Sequence, residues 1–353
     1  MVKILFDCER MKYFNTGLYF YCLNLGRAIQ NNLDPATIRP CFYTPANGVP
    51  YFGMNALYSP QNSLHKFWKP SLKGLDVWHC TYQNSDYLPP QDRKIKVILT
   101  IHDLNFIYQN KPDVKKAINL KHLQKNIDRS DAIVCVSEYT RNDVLKYCDI
   151  KNKYLTVIHN GANSLYDPML ENSSYTPKKP FLFSLGTFHR KKNFHVLLSL
   201  LRHNKYLELL IAGRPDDERY ITEINRIALN LGVAKNLHLL FNITEGEKSW
   251  YYHNCYSFLL PSLSEGFGLT IPEAMSVGKP VFLSGSTSLP EIGGKHAFYF
   301  KNFESDQMQS DFVQGMKKYK RFSMQENIKD HSRSFSWDKA AREYLKIYER
   351  VIQ

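Results

Sequence analysis

Short apolar runs closed by turn residues alternate along the chain with stretches whose apolar positions recur every three or four residues. Residues 2–6 form such a run, and Leu18, Cys22, Leu25 and Ile29 follow the turn Asn15-Thr16-Gly17 at helical spacing. Further runs at 97–101, 132–136 and 155–158 predict strands. The alternation restarts after residue 180, with strands predicted at 181–185, 207–212, 237–241, 257–260 and 280–283. Helices are predicted at 194–201, 218–231, 270–277 and 337–352. Such alternation builds parallel sheets covered on both faces. Three prolines and little periodicity mark 166–180 as a linker. The expected division is therefore 1–165, the linker 166–180, a second domain 181–335, and a terminal helix 336–353 packing back toward the first. The fold class is α/β, two doubly wound Rossmann-like domains, with the cleft between them as the expected ligand site.

A length of 353 residues suits two domains, and 43% hydrophobic residues are enough to build two cores. No apolar run approaches the roughly 18 residues of a membrane helix. The opening Met1-Val-Lys-Ile-Leu-Phe-Asp7 reads as a strand of the mature protein, with no signal-peptide layout. Seven cysteines without a Cys-x-x-Cys pair read as reduced core residues of a cytoplasmic protein. The formal net charge is +13, with an excess of seven in residues 1–170 and six in the remainder. An evenly basic globule suits an anionic ligand or membrane surface. A nucleic-acid binder would want a stripe of cations interleaved with stacking aromatics, and no nucleic-acid partner is expected.

The candidate chemistry collects at predicted strand ends. The segment 261–281 leaves a strand through Glu265-Gly-Phe-Gly and enters a short helix carrying Glu273. Carboxylates accept hydrogen bonds from sugar hydroxyls, and backbone amides at a loop–helix junction cradle anions. Thr270-x-x-Glu273 also spells a capping box, in which Glu273 would serve only the helix. After the strand at 181–185 comes Gly186-Thr-Phe-His-Arg190-Lys191-Lys192-Asn193, whose three cations can neutralise a diphosphate. His102-Asp103 closes the strand at 97–101, and Gly17 opens a helix. Dinucleotide, P-loop, zincin and hydrolase-elbow signatures are absent. Residues 113–129 set Ala117, Leu120, Leu123 and Ile127 on one helical face. Lys111, Lys115, Lys121, Lys125 and Arg129 lie opposite, within an arc of about 120°. With Lys66-Phe67-Trp68-Lys69 and Tyr51-Phe52-Gly-Met54 they form a candidate surface for anionic lipid or a lipid-diphosphate acceptor.

Glu265…Glu273 with its Glu-Gly-Phe-Gly lead-in, Thr100-Ile-His-Asp103, Val136-Ser-Glu138, Asn160-Gly161, 186–193 and Phe335-Ser-Trp-Asp338 occur in order along the chain. In these the chain resembles glycosyltransferase family 4, retaining nucleotide-sugar enzymes of GT-B fold. The resemblance implies that Glu265 contacts the donor sugar and Glu273 the ribose hydroxyls. It implies that Gly266, Phe267, Gly268, Leu269 and Thr270 line the diphosphate. Arg190, Lys191 and Lys192 are the implied phosphate cations. Lys192 matches the family lysine, whereas Lys191 stands where many members have Arg. His102 would lie near the reacting sugar and leaving phosphate, with Asp103 orienting it or the acceptor hydroxyl. Gly17 would let the backbone approach donor or acceptor. No Asp-x-Asp occurs, so no metal is expected. The expected reaction moves a hexose from a nucleoside diphosphate sugar, with a lean to GDP-mannose from Gly186-Thr187, to an oligosaccharide or lipid-linked hydroxyl. The expected setting is cell-surface polysaccharide synthesis at the inner face of the cytoplasmic membrane. The rival readings are a sugar-nucleotide epimerase, a non-catalytic nucleotide-sugar sensor and a nucleic-acid-binding protein.

Overall fold

The computed structural model describes residues 1–68, 70–90, 94–109, 112–163, 165 and 175–353. Most of the linker read at 166–180, with Lys69 and Lys111 of the basic surface, lies outside them. The chain divides into two compact units, Met1–Gly161 with Ser336–Gln353, and Ala162–Phe335.

The first unit is built on seven strands: β1 (Val2–Asp7), β2 (Ile38–Pro45), β3 (Leu57–Gln61), β4 (Val77–Cys80), β5 (Lys96–Ile101), β6 (Ala132–Cys135) and β7 (Tyr154–Val157). Their order is β3-β2-β1-β4-β5-β6-β7 and every pairing is parallel. β4 and β6 are buried along their whole length, as strands covered on both faces must be. Helix α1 (Gly17–Asn32) starts at Thr16, whose hydroxyl accepts from the Tyr19 amide at 3.3 Å. Helices α2 (Asp113–Arg129) and α3 (Glu138–Tyr147) complete the N-terminal part.

The second unit holds β8 (Phe181–Leu185), β9 (Glu208–Gly213), β10 (Leu237–Phe241), β11 (Ser257–Leu260), β12 (Val281–Ser284) and β13 (Phe298–Phe300). Their order is β10-β9-β8-β11-β12-β13, again all parallel. The helices are α4 (Leu198–His203), α5 (Glu218–Asn230), α6 (Glu245–Asn254), α7 (Thr270–Ser276), α8 (Leu289–Gly293), α9 (Ser305–Arg321) and α10 (Gln325–Arg333). Each sheet reverses its strand order once, between β1 and β4 and between β8 and β11. Such switch points are where ligands approach the carboxyl ends of open α/β sheets.

Helix α11 (Trp337–Ile352) returns to the first unit and packs on α1. Its inward stripe includes Ala340, Ala341, Tyr344, Leu345 and Tyr348. Two of these end in hydroxyls that need partners in a dry core. Tyr344 meets the Tyr21 hydroxyl at 2.8 Å and Thr100 Oγ1 at 2.9 Å. Tyr348 meets His79 Nδ1 at 2.7 Å, and His79 Nε2 meets Thr100 Oγ1 at 2.9 Å. This network accounts for a histidine in the middle of a fully buried strand.

Two expectations need correcting, and eight elements lie outside the predicted set. The helix read at 194–201 is a 3₁₀ turn, Phe194–Leu197, followed by α4. The strands β2, β3, β4 and β13, and the helices α6, α8, α9 and α10, have no counterpart among the predicted elements, although Met308, Phe312 and Met316 of α9 recur at helical spacing. In α2 the buried side chains are Leu123, Asn126 and Ile127, whereas Ala117 is exposed and Leu120 only partly covered. The first two turns of that helix stand off the core.

Candidate functional site

The loops after β8 and β11 flank the switch point of the second sheet and are joined by an ion pair. Lys192 follows β8, Glu265 follows β11, and their Nζ and Oε1 atoms are 2.6 Å apart. Both side chains are nearly enclosed, 13% and 10% exposed. The loop backbones are tied as well, since the Leu263 amide donates to the Lys191 carbonyl at 2.7 Å. Gly186 makes the approach of Lys192 feasible: a Cβ there would lie 3.0 Å from Lys192 Cε. Burial pushes the Glu265 carboxyl toward its neutral form, but Lys192 and then Lys191 overcome this and hold it below the ordinary carboxylate range. A third contact fixes the backbone: the Glu265 amide donates to Thr287 Oγ1 at 2.9 Å. Thr287 adopts a positive φ of 54°, a conformation a β-branched residue seldom takes.

Gly268, at φ +84°, turns the chain from this loop into α7. The capping box read at Thr270-x-x-Glu273 does not form. Leu269 occupies the cap position without a side-chain bond, and Thr270 is already the first helical residue. The Glu273 carboxylate is spent elsewhere. Its Oε1 accepts from Asn163 Nδ2 at 2.5 Å and its Oε2 from the Tyr252 hydroxyl at 2.9 Å. Lys248 Nζ stands 3.7 Å from Oε1. Glu273 is thus a buried, polarised acceptor rather than a helix cap. Phe267 packs edge-on against Phe335, with ring centroids 5.7 Å apart.

Of the three adjacent cations, Arg190 goes its own way. Its guanidinium pairs with Glu223 of α5 and lies 5.8 Å from the Tyr220 ring. Lys191 and Lys192 are the cations that act on Glu265.

In the first unit, His102 follows β5. Its Nε2 lies 2.8 Å from the Thr81 carbonyl, which can only accept, so the ring proton sits on Nε2 and Nδ1 keeps its lone pair. Tyr21 meets the ring edge-on at 4.5 Å, and burial lowers the imidazole pKa to about 4. Thr81, not Asp103, orients the ring: Asp103 Oδ1 accepts from the Asn105 amide at 2.9 Å. Gly17 is the first residue of α1.

Thr287, Asn163, Tyr252, Lys248 and Thr81 escaped sequence reading. Tyr252 sits in the aromatic run 250–252, which reads as core, and the others have no local signature. Among the described residues no group of three or more His, Cys, Asp or Glu could hold a metal ion, and no helix is long and apolar enough to cross a membrane.

The family models match both units. Residues 19–164 match Glycosyltransferase Family 4, and residues 170–334 match Glycosyl transferases group 1. The chain is a family-4-type glycosyltransferase. This glycosyltransferase is 26% identical over 291 residues to an uncharacterised glycosyltransferase of Methanocaldococcus jannaschii, covering 79% of this chain and 76% of that one. It is 23% identical over 220 residues to the O-antigen chain mannosyltransferase RfbU of Salmonella typhimurium. That match covers 60% of this chain and 58% of the relative, little more than half its length. Among solved structures, Anabaena HepE in complex with UDP and glucose superposes with a TM-score of 0.76 at 14% identity, covering 99% of this chain and 100% of that one. The likeness shows the GT-B fold of the glycosyltransferase.

Proposed function

We propose that this glycosyltransferase moves a hexose from a nucleoside diphosphate sugar to a hydroxyl of an oligosaccharide or lipid-linked acceptor, with retention, in cell-surface polysaccharide or glycoconjugate synthesis. The observation that carries this reading is the enclosed Lys192–Glu265 pair at the switch point of the second sheet. An ionised carboxylate held dry beside a lysine can accept from sugar hydroxyls while the lysine turns to a phosphate oxygen. Glu273, kept in place by Asn163 and Tyr252, suits the vicinal hydroxyls of a ribose. In this reading Lys191 and Lys192, with amides of residues 266–270, stabilise the diphosphate as the bond from C1 to its oxygen breaks. The acceptor oxygen forms its bond to C1 on the same face, and its proton passes to the departing phosphate oxygen. Neutral His102 offers Nδ1 to a sugar hydroxyl. Mannose is the preferred sugar, supported by the Salmonella relative and by Gly186-Thr187.

Thermal shifts with GDP-mannose, UDP-glucose and dTDP-glucose test the donor, because stabilisation grows with the logarithm of a ligand's excess over its dissociation constant. GDP-mannose is expected to give the largest shift. Lys192→Ala and Glu265→Ala should each lower sugar transfer by roughly 100-fold or more. Full activity in both would refute the assignment. A donor shift without transfer to any acceptor would point to a sensor, and conversion of the donor without acceptor to an epimerase.

A further inference from the structure

We propose that one face of the first unit docks on an anionic phospholipid bilayer. The first two turns of α2 leave Val114 at 71% and Ile118 at 62% exposure. At 3.6 residues per turn, Ala117, Lys121, Val114, Lys125, Ile118 and Lys115 fall within one arc of about 160°. Aliphatic groups and lysines are therefore interleaved on a single solvent face, rather than separated onto core and solvent faces. Arg129 leaves this face: its guanidinium donates to the carbonyls of Leu88 and Pro89. Among the described residues, Lys115, Lys121 and Lys125 have no carboxylate partner, whereas Lys116 is paired with Asp113.

A second apolar feature adjoins the first. Phe67 and Trp68 are 78% and 73% exposed. The preceding Lys66 bonds Asp86 Oδ2 at 3.0 Å, and His122 of α2 lies 3.6 Å from Asp86 Oδ1. Asp86 thus lies between Lys66, which precedes the aromatic pair, and His122 of α2.

Solubility explains lysines but not four large apolar side chains turned to water beside them. Aromatic rings that settle at the headgroup level, and lysines that reach lipid phosphates, are what an anionic bilayer selects. Nucleic acid would use the lysines but would leave Val114 and Ile118 without a role.

Flotation of the full chain with phosphatidylcholine vesicles, with and without phosphatidylglycerol, tests the proposal. The protein should float with the anionic vesicles only. Lys115→Glu, Lys121→Glu and Lys125→Glu together should weaken partitioning roughly a hundredfold or more. The triple variant should keep its melting midpoint and its donor shift, since all three positions are exposed and lie outside the second unit. Brominated lipid should quench the wild-type tryptophan fluorescence more than that of Trp68→Phe. Failure to float with anionic vesicles, or equal flotation by the triple variant, would overturn the proposal. So would lysine-dependent binding of single-stranded oligonucleotide without flotation.

Discussion

Asp7 and His79 in the first unit and Glu265 in the second resolve burial in opposite ways. In the first, burial prevails. Asp7, at the end of β1, is pushed up to about 7, and His79 is pulled down to about 3, both mainly by loss of water. Each is more easily kept neutral than charged, and each is satisfied by hydrogen bonds from or to neutral groups. In the second, Glu265 is also buried, yet the lysines beside it hold it ionised. Burial alone selects the uncharged form, and a close cation reverses that choice. The first arrangement keeps polar groups inside the core without a countercharge, with His79 joined to Tyr348 of α11. The second stores a charge pair that an incoming phosphate and sugar can divide between them.

The sharpest way to break this contrast is to remove the cation. Lys192→Ala leaves a buried carboxylate without its nearest partner, and stability should fall by roughly 3–5 kcal/mol. Adding Glu265→Gln removes the stranded charge, so most of that loss should return while transfer activity does not. Urea unfolding of the two variants and the wild type measures both effects. If Glu265→Gln brings no recovery, the pair is not what holds the loop.

Asp7 sharpens the comparison from the other side. The folded chain keeps its proton up to about pH 7, whereas the unfolded chain releases it near 3.8. Its contribution to stability is therefore present at low pH and lost as pH rises through that window. His79 works in reverse: the unfolded chain takes a proton below 6.5 that the folded chain refuses until about 3, so stability falls as pH falls. Asp7→Asn keeps an acceptor for the Glu9 amide, which Oδ1 now holds at 2.9 Å. The variant should gain roughly 2–4 kcal/mol at pH 8, with the advantage vanishing near pH 4. Unfolding free energies measured from pH 4 to 8 would show it, and an advantage constant with pH would contradict the assignment.

Much of this was legible in sequence because local pattern and tertiary fate coincide. The runs at 97–101 and 132–136 could only be buried strands, and the Glu265-Gly-Phe-Gly turn announced a ligand loop. β2 hid behind Pro40 and Pro45, which count against an inner strand, yet it pairs with β1 on one side and β3 on the other. β4 hid behind His79, whose burial depends on a tyrosine 269 positions away. Glu273 satisfies the spacing of a capping box, but its partners lie 110 and 21 residues away. Arg190 shows the same limit within a single tripeptide: three neighbouring cations read alike, and α5 claims one of them. Side chains whose partners are distant in the chain have no periodicity to betray them.

Thr287 offers the smallest and most discriminating change. Its positive φ costs about 1–3 kcal/mol, and its hydroxyl recovers about 1 kcal/mol through the Glu265 amide. Thr287→Gly relieves the strain, deletes the anchor and adds glycine's unfolded-state freedom, which costs roughly 0.5–1 kcal/mol, so stability should change by about 1.5 kcal/mol at most. Turnover should nevertheless fall several-fold, because the Glu265 backbone loses its amide anchor and keeps only the bond from the Ser288 hydroxyl to its carbonyl, at 3.0 Å. Thr287→Ser keeps the hydroxyl and should restore most of the turnover at similar stability. A purely structural role predicts a different pattern, with turnover following the melting midpoint across the three proteins. Measuring kcat beside the midpoint for each separates the two, and equal kcat in wild type and Thr287→Gly would show that the Glu265 backbone needs no such anchor.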